Sequence, residues 1–160
     1  MAQPYMHQLS ALKEQVKINT LDKDILRMET SLKSPFVYLD GREGIIIIYG
    51  TSIMDNTVSF YDTILKFIDH HFMDIKSIRA YFRIVYSSSA SGRYYMLLVR
   101  KLDKMFFQGR NIEIFWFQEA DSFDTYADGH DIKSVIRAPL HVLELNDEEL
   151  VEVDQFLSNL

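Results

Sequence analysis

One run of the sequence constrains the fold more than any other, namely Ile45-Ile46-Ile47-Ile48-Tyr49. β-Branched side chains favour extended strands, and an unbroken apolar run leaves no polar face for solvent. Strands of this kind are buried on both faces, as in the mostly parallel sheets of α/β proteins. The run is far too short to span a bilayer, because a transmembrane helix needs about 20 apolar residues. It therefore predicts a central strand that is covered on both sides.

The segments around this run alternate between strand and helix patterns. Phe36–Leu39 precedes it across a turn at Asp40–Gly44, which predicts a β-hairpin. Further strands are predicted at 78–86, 111–118 and 140–145. Helices are predicted from Asn56, after the serine-rich stretch at 87–92, over 122–137 and from Asn146 to about Ser158. Gly109 is the predicted stop of the second helix, and Asn146 is the predicted N-cap of the last one. The order ββαβαβαβα predicts an α/β fold with a mixed, mostly parallel sheet of about five strands, an N-terminal hairpin and helices packed on the sheet.

Some elements carry side-chain predictions as well. The first predicted helix has an apolar face at three- and four-residue spacing, formed by Val58, Tyr61, Leu65, Ile68 and Phe72. In the strand at 78–86, strict alternation places one set of side chains on a common face: Ile78, Ala80, Phe82, Ile84 and Tyr86. The aromatic triplet at 115–117 fits a core strand better than a base-stacking platform, because the chain is acidic.

The domain organisation is simple. A chain of 160 residues suits one compact core. Residues 1–30 lack the later regularity and form an N-terminal extension that is either helical or flexible. Residues 31–145 form the domain that carries the regular strand and helix patterns, and residues 146–160 add a C-terminal helix.

Composition excludes several classes of function. The net charge of −6 disfavours binding to a nucleic-acid backbone, and no basic cluster predicts a membrane surface. The absence of cysteine excludes disulfides, thiolate zinc sites and cysteine nucleophiles. No apolar segment near the N-terminus resembles a secretory signal, so we expect a cytoplasmic protein without a cofactor.

Two groups of residues are candidate metal ligands. His70 and His71 are adjacent on a predicted helix and point about 100° apart, so they do not chelate one metal from one face. Five carboxylates follow the aromatic strand, and they are compatible with a magnesium site, a solvated face or a contact with a basic partner: Glu119, Asp121, Asp124, Asp128 and Asp131. A metal-dependent enzyme using the stretch 121–131 is therefore one hypothesis.

The serine-rich turn is the most informative candidate site. Ser87, Ser88, Ser89 and Ser91 lie between a predicted strand end and a predicted helix N-terminus. Such serines are common helix caps. A phosphoryl group at the same place would meet free backbone N–H groups and the positive helix end, and Arg93 could pair with it.

These segments, taken in order, resemble the SiaC family of bacterial regulatory phosphoproteins. The resemblance rests on stretches spread over roughly residues 30–145: Ser34–Asp40, Gly44–Ser52, Asp55–Tyr61, Phe82–Ser89, Trp116–Asp121 and Asp128–Leu140. It implies that residues 31–145 are a regulatory domain with a fold similar to STAS domains, the class of anti-sigma-factor antagonists. It also implies a non-catalytic switch protein, in which a dedicated kinase phosphorylates one hydroxyl at the strand-to-helix turn and a PP2C-type phosphatase removes the phosphate.

The family pattern places the functional residues in this chain. Ser88 falls on the phosphorylated threonine, with Ser87, Ser89 and Ser91 as alternative acceptors. The resemblance further implies that the turn binds partners through Ser87, Ser89 and Arg93, and that the unmodified form binds a target such as a diguanylate cyclase. Ser87 replaces the family's asparagine, and Ser88 keeps a phosphorylatable hydroxyl. A constitutive interaction module without a phospho-switch is the alternative.

Overall fold

The computed structural model describes residues 4–16, 22–120 and 129–160. In these parts of the chain, helices and strands alternate around a single sheet. Their bounds are α1 (Pro4–Gln15), β1 (Ile25–Met28), β2 (Phe36–Asp40), β3 (Ile45–Ser52), α2 (Thr57–His71), β4 (Ser77–Ser87), α3 (Ser89–Phe107), β5 (Asn111–Glu119), α4 (Gly129–Ser134), β6 (Leu140–Leu145) and α5 (Asp147–Ser158). The predicted α/β class with a mixed sheet is confirmed.

The strands of the sheet are ordered as they occur in the chain, from β1 to β6. The pairs β1–β2 and β2–β3 are antiparallel, and the remaining neighbours are parallel. The described sheet therefore has six strands, not about five, because β1 was not predicted. β1 has four residues, only partly buried after Ile25, and its pairing with β2 is a tertiary contact that local patterning does not reveal.

Helices cover both faces of the sheet. On the first face, α2, α3 and α4 pack against side chains that include Ile46 and Ile48 of β3. On the second face, α1 and α5 pack against a cluster that includes Ile45 and Ile47. The alternation of β3 thus sends neighbouring isoleucines into two separate cores. The prediction that this strand is buried on both faces is confirmed, since these four residues are at most 1% exposed.

The buried face of α2 is rotated from the predicted one. Val58 is 62% exposed, whereas Thr57 is buried and donates its hydroxyl to the Met54 carbonyl at 2.7 Å. Successive helical residues are about 100° apart, and the direction shared by Ile64 and Ile68 coincides with position 57. The prediction for Val58 was therefore wrong.

Two further predictions need correction. Tyr86 is 65% exposed instead of lying on the buried face of β4. The cause is a register shift between Gly50 and Thr51, where the pairing passes from Ile84 to Tyr86. The helix predicted over 122–137 is only α4 in its described part, and it ends at Ser134; residues 121–128 lie outside the described residues.

Helix ends follow the predicted signals more closely. Asn146 is the N-cap of α5, and its side chain accepts the Glu149 backbone N–H at 2.9 Å. Gly109 follows α3 with a φ of +89°, and the Gly109 and Arg110 amides return to the last turn of that helix. Within the described ranges, no helix is long and apolar enough to cross a membrane.

Candidate functional site

The serine-rich turn lies at the carboxyl edge of the sheet, where β3 and β4 end side by side. Ser52 and Ser87 are partners in the parallel register of these two strands. The next residue, Ser88, donates its backbone N–H to the Ser52 carbonyl at 2.9 Å. The turn is therefore fixed to the neighbouring strand before α3 begins at Ser89.

Ser88 is the N-cap of α3. Its backbone is extended, with φ −74° and ψ 162°, and its Oγ accepts the Ser91 backbone N–H at 3.2 Å. The cap satisfies one of the free N–H groups of the first helical turn, which is the usual role of serine at this position. The structure thus places Ser88 at the positive end of a 19-residue helix, half-buried and next to solvent.

The other predicted residues of the turn differ in accessibility. Ser87 is half-buried and donates its hydroxyl to the Ser88 carbonyl at 2.9 Å. Ser89 is exposed, whereas Ser91 is fully buried. Arg93 is exposed, and within the described part of the chain it forms no ion pair. The turn therefore offers three hydroxyls within reach of solvent and one that faces inward.

A cluster of buried hydroxyls lies directly beneath the turn. Ser52 Oγ is 2.7 Å from Ser91 Oγ and 2.6 Å from Tyr61 Oη, and Tyr61 Oη is 3.2 Å from Tyr95 Oη. Ser91 Oγ in turn lies 3.1 Å from Ser88 Oγ. Sequence reasoning missed Ser52, Tyr61 and Tyr95 as site residues, because no local pattern indicates that a strand end and two helices bring their hydroxyls together.

Burial keeps the two tyrosines of the cluster protonated. Desolvation, reinforced by the other tyrosine, raises the pKa of Tyr61 far above its ordinary value, and burial likewise raises the pKa of Tyr95. Both side chains therefore remain neutral hydrogen-bonding groups at any physiological pH.

The turn is bordered by exposed apolar side chains, which we call the apolar rim. Val85 and Tyr86, at the end of β4, are 45% and 65% exposed, and Ile53, just after β3, is 36% exposed. Val58, in the first turn of α2, belongs to the same end of the sheet. Exposed apolar groups clustered at one end of a domain are typical of interaction surfaces.

The candidate metal ligands do not form a described site. His70 bonds to the Lys66 carbonyl, whereas His71 contacts the Asp24 carboxylate at 3.0 Å, so the two rings point to different partners. The acidic cluster lies mostly in 121–128, outside the described residues. Among the residues that the structure does describe, no group of three or more potential ligands could hold a metal ion.

The fold and the turn define a mixed α/β domain with a hydroxyl-bearing strand-to-helix turn at one end of its sheet. Comparison of the sequence with known families then gives a match to the SiaC family of regulatory phosphoproteins over residues 28–145. This match spans well over half of the chain, and the chain belongs to that family. A search of curated proteins finds no matching sequence.

Solved structures of SiaC from Pseudomonas aeruginosa share the fold. Apo-SiaC superposes with a TM-score of 0.68 at 14% sequence identity, covering 74% of this chain and 98% of that one. SiaC in complex with the diguanylate cyclase SiaD, of which it is the activator, gives a TM-score of 0.69 at 14% identity, covering 75% of this chain and 99% of that one. At this identity the likeness shows the fold alone.

Proposed function

We propose that this protein is a non-catalytic cytoplasmic switch, controlled by reversible phosphorylation of Ser88. A kinase adds the phosphate, a PP2C-type phosphatase removes it, and the unmodified form binds a target protein such as a diguanylate cyclase. The observation that supports this best is the position of Ser88, which joins an accessible hydroxyl to the positive end of α3. Membership of a regulatory phosphoprotein family supports the same function.

The apolar rim gives the switch a physical basis. An interface that covers Tyr86 and Val85 would remove water from the turn, because both exposed residues directly precede Ser87 and Ser88 in the chain. Phosphorylation adds about 1.5 to 2 negative charges, and burying them without a cationic partner is costly. The unmodified turn is therefore the binding form, and the phosphate opposes binding by local charge and hydration without refolding the domain.

The proposal is tested by mass spectrometry of protein isolated from its native cells and of protein incubated with kinases from the same genome. We expect one phosphate on the peptide that contains the turn, assigned to Ser88, which a PP2C-type phosphatase removes. Ser88→Ala should abolish it, whereas Ser89→Ala, a change at the exposed neighbouring hydroxyl, should retain it. A phosphate at Ser87, Ser89 or Ser91 would contradict the assignment to Ser88.

Binding to the target is tested separately. The captured target should bind unmodified protein and release the phosphorylated form, and Tyr86→Ala should weaken binding without lowering stability, because this side chain is mostly exposed. The alternative is a constitutive interaction module. It is favoured if no phosphate is found under any condition while Tyr86→Ala still weakens capture of the same target.

A further inference from the structure

The buried hydroxyls beneath the turn form a continuous chain that reaches Ser88. In order, this hydroxyl chain consists of Tyr95, Tyr61, Ser52, Ser91 and Ser88, with oxygen–oxygen distances of 3.2, 2.6, 2.7 and 3.1 Å. All of its members except Ser88 are fully buried. One end of the chain therefore lies between α2 and α3, and the other is the candidate phosphorylation site.

In the unmodified chain, Ser91 Oγ acts as a hydrogen-bond acceptor. Each hydroxyl donates one hydrogen bond and can accept two. The geometry favours donation to Ser91 Oγ from both sides, by Ser52 and by Ser88. Ser91 is therefore the acceptor at the junction, and its own proton is not needed to hold Ser88.

Phosphorylation changes this arrangement at one atom. Transfer of the γ-phosphoryl group from a nucleoside triphosphate forms a P–O bond at Ser88 Oγ and breaks the bond between the γ-phosphorus and the oxygen that bridges it to the β-phosphate. The Ser88 O–H bond is also broken, and the nucleoside diphosphate and a proton are released. Phosphoserine then has no hydroxyl proton to donate and only accepts. The contact between positions 88 and 91 is retained if Ser91 reverses its role and donates. Ser52 then donates to Ser91 and Ser91 donates to the phosphate, so this part of the hydroxyl chain runs in one direction.

We infer that Ser91 is a positioning residue that holds phosphorylated Ser88 against the start of α3, through its hydroxyl and its backbone N–H, with Ser52 supporting it from below. This inference rests on the proposed function, because it concerns the modified state of the same turn. It differs from the expectation that Arg93 pairs with the phosphate. Arg93 lies two helical positions after Ser91 and therefore points about 200° away from it around the axis.

The consequence is a phosphate that caps the helix while adding charge beside the apolar rim. A charge-assisted hydrogen bond is shorter and about twice as strong as a neutral one. The modified turn should therefore be as ordered as the unmodified turn, and its partner would meet about 1.5 to 2 negative charges at a fixed position. Regulation by melting of the first turn of α3 is the opposite outcome.

The test uses full-length protein carrying phosphoserine at position 88, installed during translation so that no kinase is required. Unfolding equilibria are measured for the phosphorylated and unmodified forms, each with Ser91, Ser91→Ala, Arg93→Ala or the control Ser89→Ala. We expect Ser91→Ala to raise the unfolding equilibrium constant about tenfold more in the phosphorylated form than in the unmodified form. For Arg93→Ala and for Ser89→Ala, the change in the unfolding constant should differ between the two forms by less than about twofold.

A second measurement needs no variant, which matters if loss of the buried Ser91 hydroxyl prevents folding. The Ser91 N–H donates to Ser88 Oγ, and the Gly92 N–H donates to the Ser88 carbonyl. Amide hydrogen exchange at both positions should be slower in the phosphorylated form, because the phosphate holds position 88 more firmly against the first turn of α3. Faster exchange, or a larger coupling at Arg93 than at Ser91, would overturn the inference. Finding no phosphate in native cells would instead contradict the proposed function. It would not change the measured difference in the effect of Ser91→Ala between the two forms.

Discussion

The ion pair between Arg83 and Asp154 should contribute strongly to the stability with which α5 packs on the sheet. Arg83, on the second face of β4, donates from Nε at 3.0 Å and from Nη2 at 3.3 Å to the two oxygens of Asp154 in α5. Its side chain is 8% exposed, whereas that of Asp154 is 31% exposed. Truncating the carboxylate would leave a largely buried guanidinium whose remaining hydrogen bond, among the described residues, is the one to the Ile84 carbonyl.

The loss of stability expected for Asp154→Ala follows from the difference in burial between the two side chains. Removing one member of a fully buried pair costs about 3–5 kcal/mol, and an exposed pair is worth about 0–1 kcal/mol. Asp154→Ala should therefore lower the free energy of unfolding by about 2–3 kcal/mol, slightly offset by the better helix propensity of alanine. Glu152→Ala, at an exposed position of the same helix, should change it by less than about 0.5 kcal/mol.

The assay is urea unfolding followed by circular dichroism, with equal denaturant slopes required for the comparison. A second variant, Arg83→Met combined with Asp154→Leu, should recover most of the lost stability, because an apolar pair leaves no buried charge unpaired. If Asp154→Ala costs no more than Glu152→Ala, the guanidinium is not held by α5, and our account of the second face is wrong.

Three further outcomes can be measured in the same way. Burial raises the pKa of Tyr61 above the value of about 10 that a tyrosine has in an unfolded chain. The protonated side chain therefore stabilises the fold fully below about pH 10, and this stability is lost as the pH rises further, by up to about 1.4 kcal/mol per pH unit. Tyr61→Phe should reduce this slope in unfolding experiments at about pH 9–11. Gly44→Ala should cost about 3 kcal/mol or more in urea unfolding, because φ is +68° and the new Cβ would overlap the backbone of β4, whereas Gly109→Ala, with φ +89° and open space around it, should cost about 1 kcal/mol. Asn146→Ala should lower the thermal midpoint through loss of about 1 kcal/mol of capping, whereas Asn56→Ala should have little effect, because the Asn56 side chain makes no cap bond.

Several features of this protein follow from its sequence alone. The apolar run at 45–49 predicts burial on both faces, and 115–117 predicts a core strand; both are confirmed. Asn146 and Gly109 mark helix ends that the structure contains. The serine turn is predicted at the junction of a strand and a helix, and Ser88 is the N-cap there. All of these depend on side-chain periodicity or on backbone preference within a few residues, which are local properties.

Other features depend on which distant segments meet, and only the tertiary structure decides them. β1 is a strand because β2 offers it a partner. Helices α1 and α5, which lie outside the family match, come from opposite ends of the chain and cover the same face of the sheet. Ser52 and Tyr61 reach the serine turn through strand register and helix packing. The sequence specifies which faces of its helices and strands are apolar. It does not specify which faces pack together, because the hydrophobic effect is not directional and favours burial against any complementary surface.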